Sequence, residues 1–231
     1  MSISQLTEDY LSEFVYGGID GIVTTFAVVS AVAGAGLEPG VVLILGFANL
    51  FSDGLSMGIS AYLAERSDVD QYHKQRRMVV GSLENAIEKA TSTIGKNLKK
   101  YGFKGEKLSA ATDQIVGSKH AAEFIMKEEH GLAEEPQGAS IVGLTTFMAF
   151  IIFGIVPLIA YLADEVFDIG LENPFGITLV LAGLAFALIG WLKSKVAHAP
   201  VVRSILETFI LGLVASGASY YIGKWLETLV G

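Results

Sequence analysis

Long apolar runs separated by short polar breaks fill most of the chain, and one central polar stretch interrupts them. A helix needs about 20 apolar residues to cross roughly 30 Å of hydrocarbon. Five segments reach that length: Phe14 to Ala35, Val41 to Leu63, Ile141 to Ala163, Pro174 to Leu192 and Ile205 to Leu229. The first two are joined by Gly-Leu-Glu-Pro-Gly at Gly36 to Gly40. That breaker cluster predicts a tight antiparallel hairpin. The insert from Arg66 to Gly138 is too polar to enter lipid, yet Val80, Leu83, Ile87 and Ile94 recur in it at helical spacing. It predicts one helix over Val69 to Lys100 and another over Lys107 to His130, split by Tyr-Gly-Phe-Lys-Gly at Tyr101 to Gly105. The expected fold class is therefore all-α, a polytopic membrane protein with five transmembrane helices and a cytoplasmic helical insert between spans two and three. The expected domains are the N-terminal segment and hairpin (1–65), the insert (66–139) and spans three to five (140–231). An insert of about 70 residues is marginal as a free domain, so it is expected to pack on a partner copy.

Composition agrees with this partition. The 231 residues are 52% hydrophobic and only 17% charged, with a mean hydropathy of +0.51; an ordinary soluble domain carries about 25% charged residues. No cysteine is present, which removes disulfides, thiolate catalysis, iron–sulfur clusters and Cys-based zinc sites. A net charge of −8 argues against a nucleic-acid partner. The acidic start (Glu8, Asp9, Glu13) lacks the basic region of a signal peptide. Lys and Arg positions orient the spans. Ala64 to Ser140 holds 12 of the 16 basic residues, and Lys193, Lys195 and Arg203 follow in the link between the last two spans. Placing both segments in the cytoplasm puts the N-terminus there as well and the C-terminus outside. The loop with Asp164, Glu165, Asp168 and Glu172 then lies on the outer side.

Ionisable groups within a span are costly and are functional-site candidates by default. They concentrate in the first hairpin. Glu13 and Asp20 lie two helical turns apart on one face of the first span, and Asn49, Asp53 and Met57 step at i, i+4, i+8 along the second, with Ser56 and Ser60 close to that stripe. One face thus offers amide oxygen, carboxylate, hydroxyl and thioether, and the antiparallel hairpin lets it face Asp20. Oxygen donors suit harder divalent ions such as Fe2+ or Mn2+, whereas a thioether adds a contact that Mg2+ or Ca2+ does not use. Metal and proton compete for a carboxylate held there, which is the minimal chemistry of a proton-coupled metal exchanger. The plainer alternative has Asp20 and Asp53 hydrogen-bonding neighbouring helices, Met57 filling a gap in the core and Glu13 lying at the interface. Glu207, one turn into the fifth span, reads as interfacial.

The segments Tyr16-Gly-Gly-Ile-Asp-Gly-Ile-Val-Thr-Thr-Phe-Ala-Val-Val-Ser30 and Asn49-Leu-Phe-Ser-Asp-Gly-Leu-Ser-Met-Gly-Ile-Ser-Ala-Tyr-Leu63 closely resemble the vacuolar iron transporter family. The five-span layout, the insert after span two and the ending Gly217-Ala-Ser-Tyr-Tyr-Ile-Gly223 are similar to it too. The resemblance covers essentially the whole chain, strongly in the hairpin and loosely in the insert. It implies a proton-coupled exporter of cytosolic Fe2+, often also of Mn2+, built as a homodimer with the ion path between the first two spans of the protomers. The family's first-span acidic pair falls on Glu13 and Asp20, and its second-span Met on Met57.

Two departures stand out. Where many members carry a Glu two turns before that Met, this chain has Asn49, and Asp53 one turn later is expected to take its role. The family's insert is a Glu-rich metal-binding domain, whereas the first insert helix here offers only Glu84 and Glu88, after the basic run Lys74, Arg76, Arg77. The second helix keeps Glu123, Met126, Glu128 and Glu129, and with His120 and the first pair these are the candidate insert ligands. A solvated charged face is the alternative. The expected function is thus export of Fe2+, with Mn2+, Co2+ or Zn2+ as other cargoes, by a multi-pass protein of a prokaryotic cytoplasmic or a vacuolar membrane. Its partners are the lipid bilayer, divalent ions, protons and a second copy. A membrane-anchored metal sensor or storage protein and a passive cation channel remain alternatives. An enzyme is not expected: His73, His120, His130 and His198 lie on polar segments, and no Gly-rich phosphate loop occurs.

Overall fold

The computed structural model describes residues 10–132 and 138–230, so Glu8 and Asp9 of the acidic start lie outside the described residues. Among these residues the chain is helical throughout. The helices are α1 (Leu11–Gly34), α2 (Pro39–Asn85), α3 (Ile87–Lys100), α4 (Gly105–Val116), α5 (Ala121–His130), α6 (Ala139–Gly154), α7 (Ile159–Phe167), α8 (Pro174–Val196) and α9 (Val201–Val230). A 3-10 turn, Val156–Leu158, joins α6 to α7. Five stretches are long and apolar enough to cross a membrane: α1, α2, α6 through α7, α8 and α9.

The chain forms two compact units, one from the described residues up to Tyr62 together with those from Ser140 onward, the other Leu63–Ala139. In the first, α1 is the central helix and packs on α9, α8 and the 3-10 turn. Glycine makes these contacts close. A Cβ on Gly34 would collide with the Tyr220 carbonyl, and one on Gly223 with the Ala31 carbonyl, so α1 and α9 cross backbone to backbone. The core has two parts. Val15, Ile22 and Phe26 of α1 meet Phe153 and the α8 residues Phe186 and Ile189. Val29 and Val32 meet Val42 and Leu50 of α2, with Phe150, Leu158 and Tyr161.

Turn chemistry sets the ends of these helices. Gly36 takes φ +63°, and Leu37 N–H donates to the Val32 carbonyl at 3.2 Å, closing α1 with a left-handed cap. Asn173 caps α8 by accepting from Gly176 N at 2.8 Å, with Pro174 at the first helical position. Span three breaks at Pro157, which lacks an N–H for the helical ladder; its own carbonyl accepts from Thr178 Oγ1 at 3.1 Å in the core.

The second unit differs in detail from the helices expected of it. The second span does not end at Leu63, because α2 continues unbroken to Asn85. No Pro occurs there and no Gly before Gly81, so leaving an apolar stretch gives the backbone no reason to unwind. The break comes at Ala86 (φ −145°, ψ 53°), after Asn85 Nδ2 has bonded back to the Gly81 carbonyl at 3.1 Å. The second expected helix is split at 117–120 into α4 and α5, where Ser118 Oγ donates to the Ile115 carbonyl at 2.8 Å and accepts from His120 N–H at 3.2 Å. Val79, Ala90, Ile94, Leu98, Ile125 and Met126 form the core of this unit, and α5 closes on Gly131 (φ +69°) with Leu132 N–H bonded to the Met126 carbonyl at 3.0 Å.

Candidate functional site

The sequence candidates fall into one group in the membrane unit and a scatter in the insert. On α1, Asp20 is half-buried, and its backbone carbonyl accepts from Thr24 Oγ1 at 2.9 Å. On α2, Asn49, Asp53 and Met57 are all half-buried on one stripe. The Asp20 side chain is partly desolvated and within electrostatic reach of Asp53 on the neighbouring helix. Like charges within reach of each other repel, and a divalent cation bound between them would relieve the repulsion. Met57 packs against the core cluster around Leu50 and Phe150, so packing alone accounts for part of its placement. Asn49 has its carboxamide nitrogen buried without a hydrogen-bond partner. Glu13 is half-buried and accepts from Ser12 Oγ at 2.8 Å. Ser56 and Ser60 are exposed, turned away from the half-buried stripe.

A feature that the sequence reading missed is the wall behind this pair. Cβ atoms on Gly17 and Gly21 of α1 would run into the backbone of Thr146 and Phe150 on α6. On α2, a Cβ on Gly58 would lie 2.9 Å from the Gly143 carbonyl and one on Gly54 3.2 Å from the Phe150 ring. Both hairpin helices therefore lean on α6. The glycines were visible in the sequence; their common partner was not, because α6 carries no polar signal. Thr25, fully buried on the α6 side of α1, has a hydroxyl without a partner.

The insert candidates do not converge. Among the described residues no three His, Asp or Glu side chains are grouped so as to hold a metal ion. Glu84 and Glu88 are both exposed, and the break at Ala86 puts them on different helices, so their i, i+4 spacing does not make one helical face. Met126, expected among the ligands, is 2% exposed in the insert core. The other acids are engaged in pairs. His120 Nδ1 lies 2.6 Å from Glu123 Oε2; this hydrogen bond and the imidazole's charge hold the Glu123 carboxyl below the ordinary carboxylate range, helped by Arg76 and Lys119. Glu129 is lowered chiefly by the hydrogen bond from Asn97 Nδ2 (3.2 Å), then by Lys96. Glu128 accepts from the Tyr101 hydroxyl at 2.7 Å, which raises the Tyr101 pKa.

Elsewhere in the membrane unit, Glu207 accepts from Lys193 Nζ and Arg203 Nε, each at 2.8 Å. That ion pairing satisfies its charge without cargo.

Comparison with known sequences decides the family. The VIT family profile matches residues 11–224. The chain belongs to the VIT family. VIT relatives resemble it over nearly its whole length. A Plasmodium berghei protein named "Vacuolar iron transporter" is 29% identical over 98% of this chain and 85% of its own length. The "Vacuolar iron transporter 2" of Oryza sativa subsp. japonica is 26% identical over 96% of this chain and 89% of its own. The "Vacuolar iron transporter 1" of Arabidopsis thaliana is 25% identical over 95% and 87%. With five membrane-length helices, this VIT protein is a multi-pass membrane protein.

Proposed function

We propose that this protein carries Fe2+ across its membrane, out of the cytoplasm, in exchange for protons. The observation that carries the reading is the half-buried stripe of Asn49, Asp53 and Met57 on α2, with half-buried Asp20 on α1 within electrostatic reach of Asp53. Carboxylate, carboxamide and thioether together suit Fe2+ and Mn2+. Each carboxylate takes either the ion or a proton, which couples the two fluxes. The names of the VIT relatives support iron as the cargo. Lys and Arg placement supports a cytoplasmic insert and N-terminus.

Two copies acting together fit the outer face of α2. Ser52, Ser56 and Ser60 are exposed there beside Phe51, Leu55 and Ile59, and hydroxyls within a span favour a protein partner over lipid. A second protomer on that face would enclose the stripe that carries Asp53. On the insert, Glu84, Glu88 and the paired acids Glu123, Glu128 and Glu129 would attract cytosolic cations as a diffuse negative surface rather than as one built site.

Asp20→Asn keeps the size of the side chain and removes its charge. It is expected to abolish metal uptake into vesicles while leaving the detergent-solubilised protein monodisperse; full activity in that variant would defeat the assignment.

A further inference from the structure

We propose that Gly154 is a positioning residue of the ion path: it is the point without a side chain at which span three is wedged between α1 and α2, and it sets how far Asp20 stands from Asp53. The inference rests on the transport reading above. A Cβ at Gly154 would lie 2.5 Å from Leu50 Cδ1 on α2, 2.9 Å from the Gly21 carbonyl on α1 and 3.1 Å from Thr25 Oγ1. Gly154 thus touches both helices of the hairpin at one level. Gly21 directly follows Asp20; Leu50 directly follows Asn49 and lies three residues before Asp53.

Neighbouring residues of a helix are about 100° apart around its axis. Asp20 and Asp53 are therefore each turned about 100° from Gly21 and Gly54, which lean on α6. The carboxylates flank the wall rather than face it, and the depth at which α6 sits governs their separation. Ordinary contact starts at 3.4 Å, so an added methyl falls about 0.5 Å short against the Gly21 carbonyl and about 0.9 Å short against Leu50.

The break in span three holds Gly154 in place. Ile155 N–H still bonds the Ile151 carbonyl at 3.0 Å, and Leu158 N–H bonds the Ile155 carbonyl at 2.9 Å. The Pro157 carbonyl is tied to α8 through Thr178. The fixed break transmits a methyl at 154 to α1 through the rigid Gly21 carbonyl, and to α2 through the Leu50 side chain, which is 1% exposed and enclosed by the core.

The test is metal uptake by the full chain in proteoliposomes, across a concentration series of Fe2+, Mn2+ and Zn2+ supplied separately. It compares wild type, Gly154→Ala, the pair Gly154→Ala with Leu50→Ala, and Gly217→Ala, whose added Cβ meets nothing within 4 Å. Misplacing binding groups by up to 1 Å costs about tenfold to hundredfold in such sites. Gly154→Ala is expected to raise KM by about tenfold or more and to change the ranking of the three metals, with a smaller effect at saturation. Leu50→Ala, which removes the closest clash, is expected to restore most of the KM; Gly217→Ala is expected to match wild type. An unchanged KM and metal ranking in Gly154→Ala would overturn the proposal, as would a lower maximal rate at constant KM. If Gly154→Ala does not fold, the pair gives the answer: it must fold and transport with nearly wild-type KM, and failure on either count overturns the proposal. Wild-type vesicles that move no metal would instead overturn the transport reading, and this proposal with it.

Discussion

Gly143→Ala tests whether the α2–α6 contact is as close as described. A Cβ at Gly143 would lie 2.7 Å from the Gly58 carbonyl and 2.8 Å from Tyr62 Cβ, against an ordinary contact of 3.4 Å or more. One of the two obstacles is backbone and the other a Cβ, so neither can rotate away, and the helices must part by about 0.7 Å. Overpacking of this kind costs about 1–3 kcal/mol. Alanine's better helix propensity returns about 1 kcal/mol. The net expectation is a loss of up to about 2 kcal/mol, or a Tm lower by up to about 8 °C for a chain of this size. Gly217→Ala in α9 is the matched comparison, since its Cβ meets nothing within 4 Å; there only the propensity gain of about 1 kcal/mol remains. The assay is thermal unfolding of both purified variants in the same detergent. Equal Tm values for the two would refute the reasoning, because the gap of about 1–3 kcal/mol between them comes from the crossing alone.

Two further outcomes follow from particular bonds. Thr178→Val removes the donor to the buried Pro157 carbonyl and is expected to cost about 1–2 kcal/mol; an unchanged Tm would mean that the carbonyl is satisfied without Thr178. The Glu123 carboxyl is held below its unfolded value by His120. Its contribution is therefore present in full above the ordinary value of about 4.3 and is lost as pH falls through the depressed one. His120→Ala is expected to move the Glu123 titration, followed by carboxyl-carbon NMR, upward toward that ordinary value, and no movement would discard the pairing.

The five spans were legible because membrane-length apolar runs need no tertiary information, and the α1–α2 turn was legible from Gly36 and Pro39. Ala86 was not. Nothing in its sequence neighbourhood demands a break, and Asn85 becomes a terminator only through its bond to Gly81. Met126 looked like a ligand beside Glu123, Glu128 and Glu129, yet it fills the insert core with Ile94 and Leu98; a side chain that serves both roles declares neither by spacing. The hairpin stripe was readable from the i, i+4, i+8 steps of Asn49, Asp53 and Met57. The wall that supports it was not, since Thr146, Phe150 and Gly154 carry ordinary membrane residues whose partners only the fold supplies.

The most direct measurement is Fe2+ uptake into proteoliposomes with and without an imposed pH gradient, for wild type and Asp53→Ala. The account predicts uptake that follows the gradient in wild type and is lost in the variant. Uptake indifferent to the gradient, or undiminished in Asp53→Ala, would contradict it.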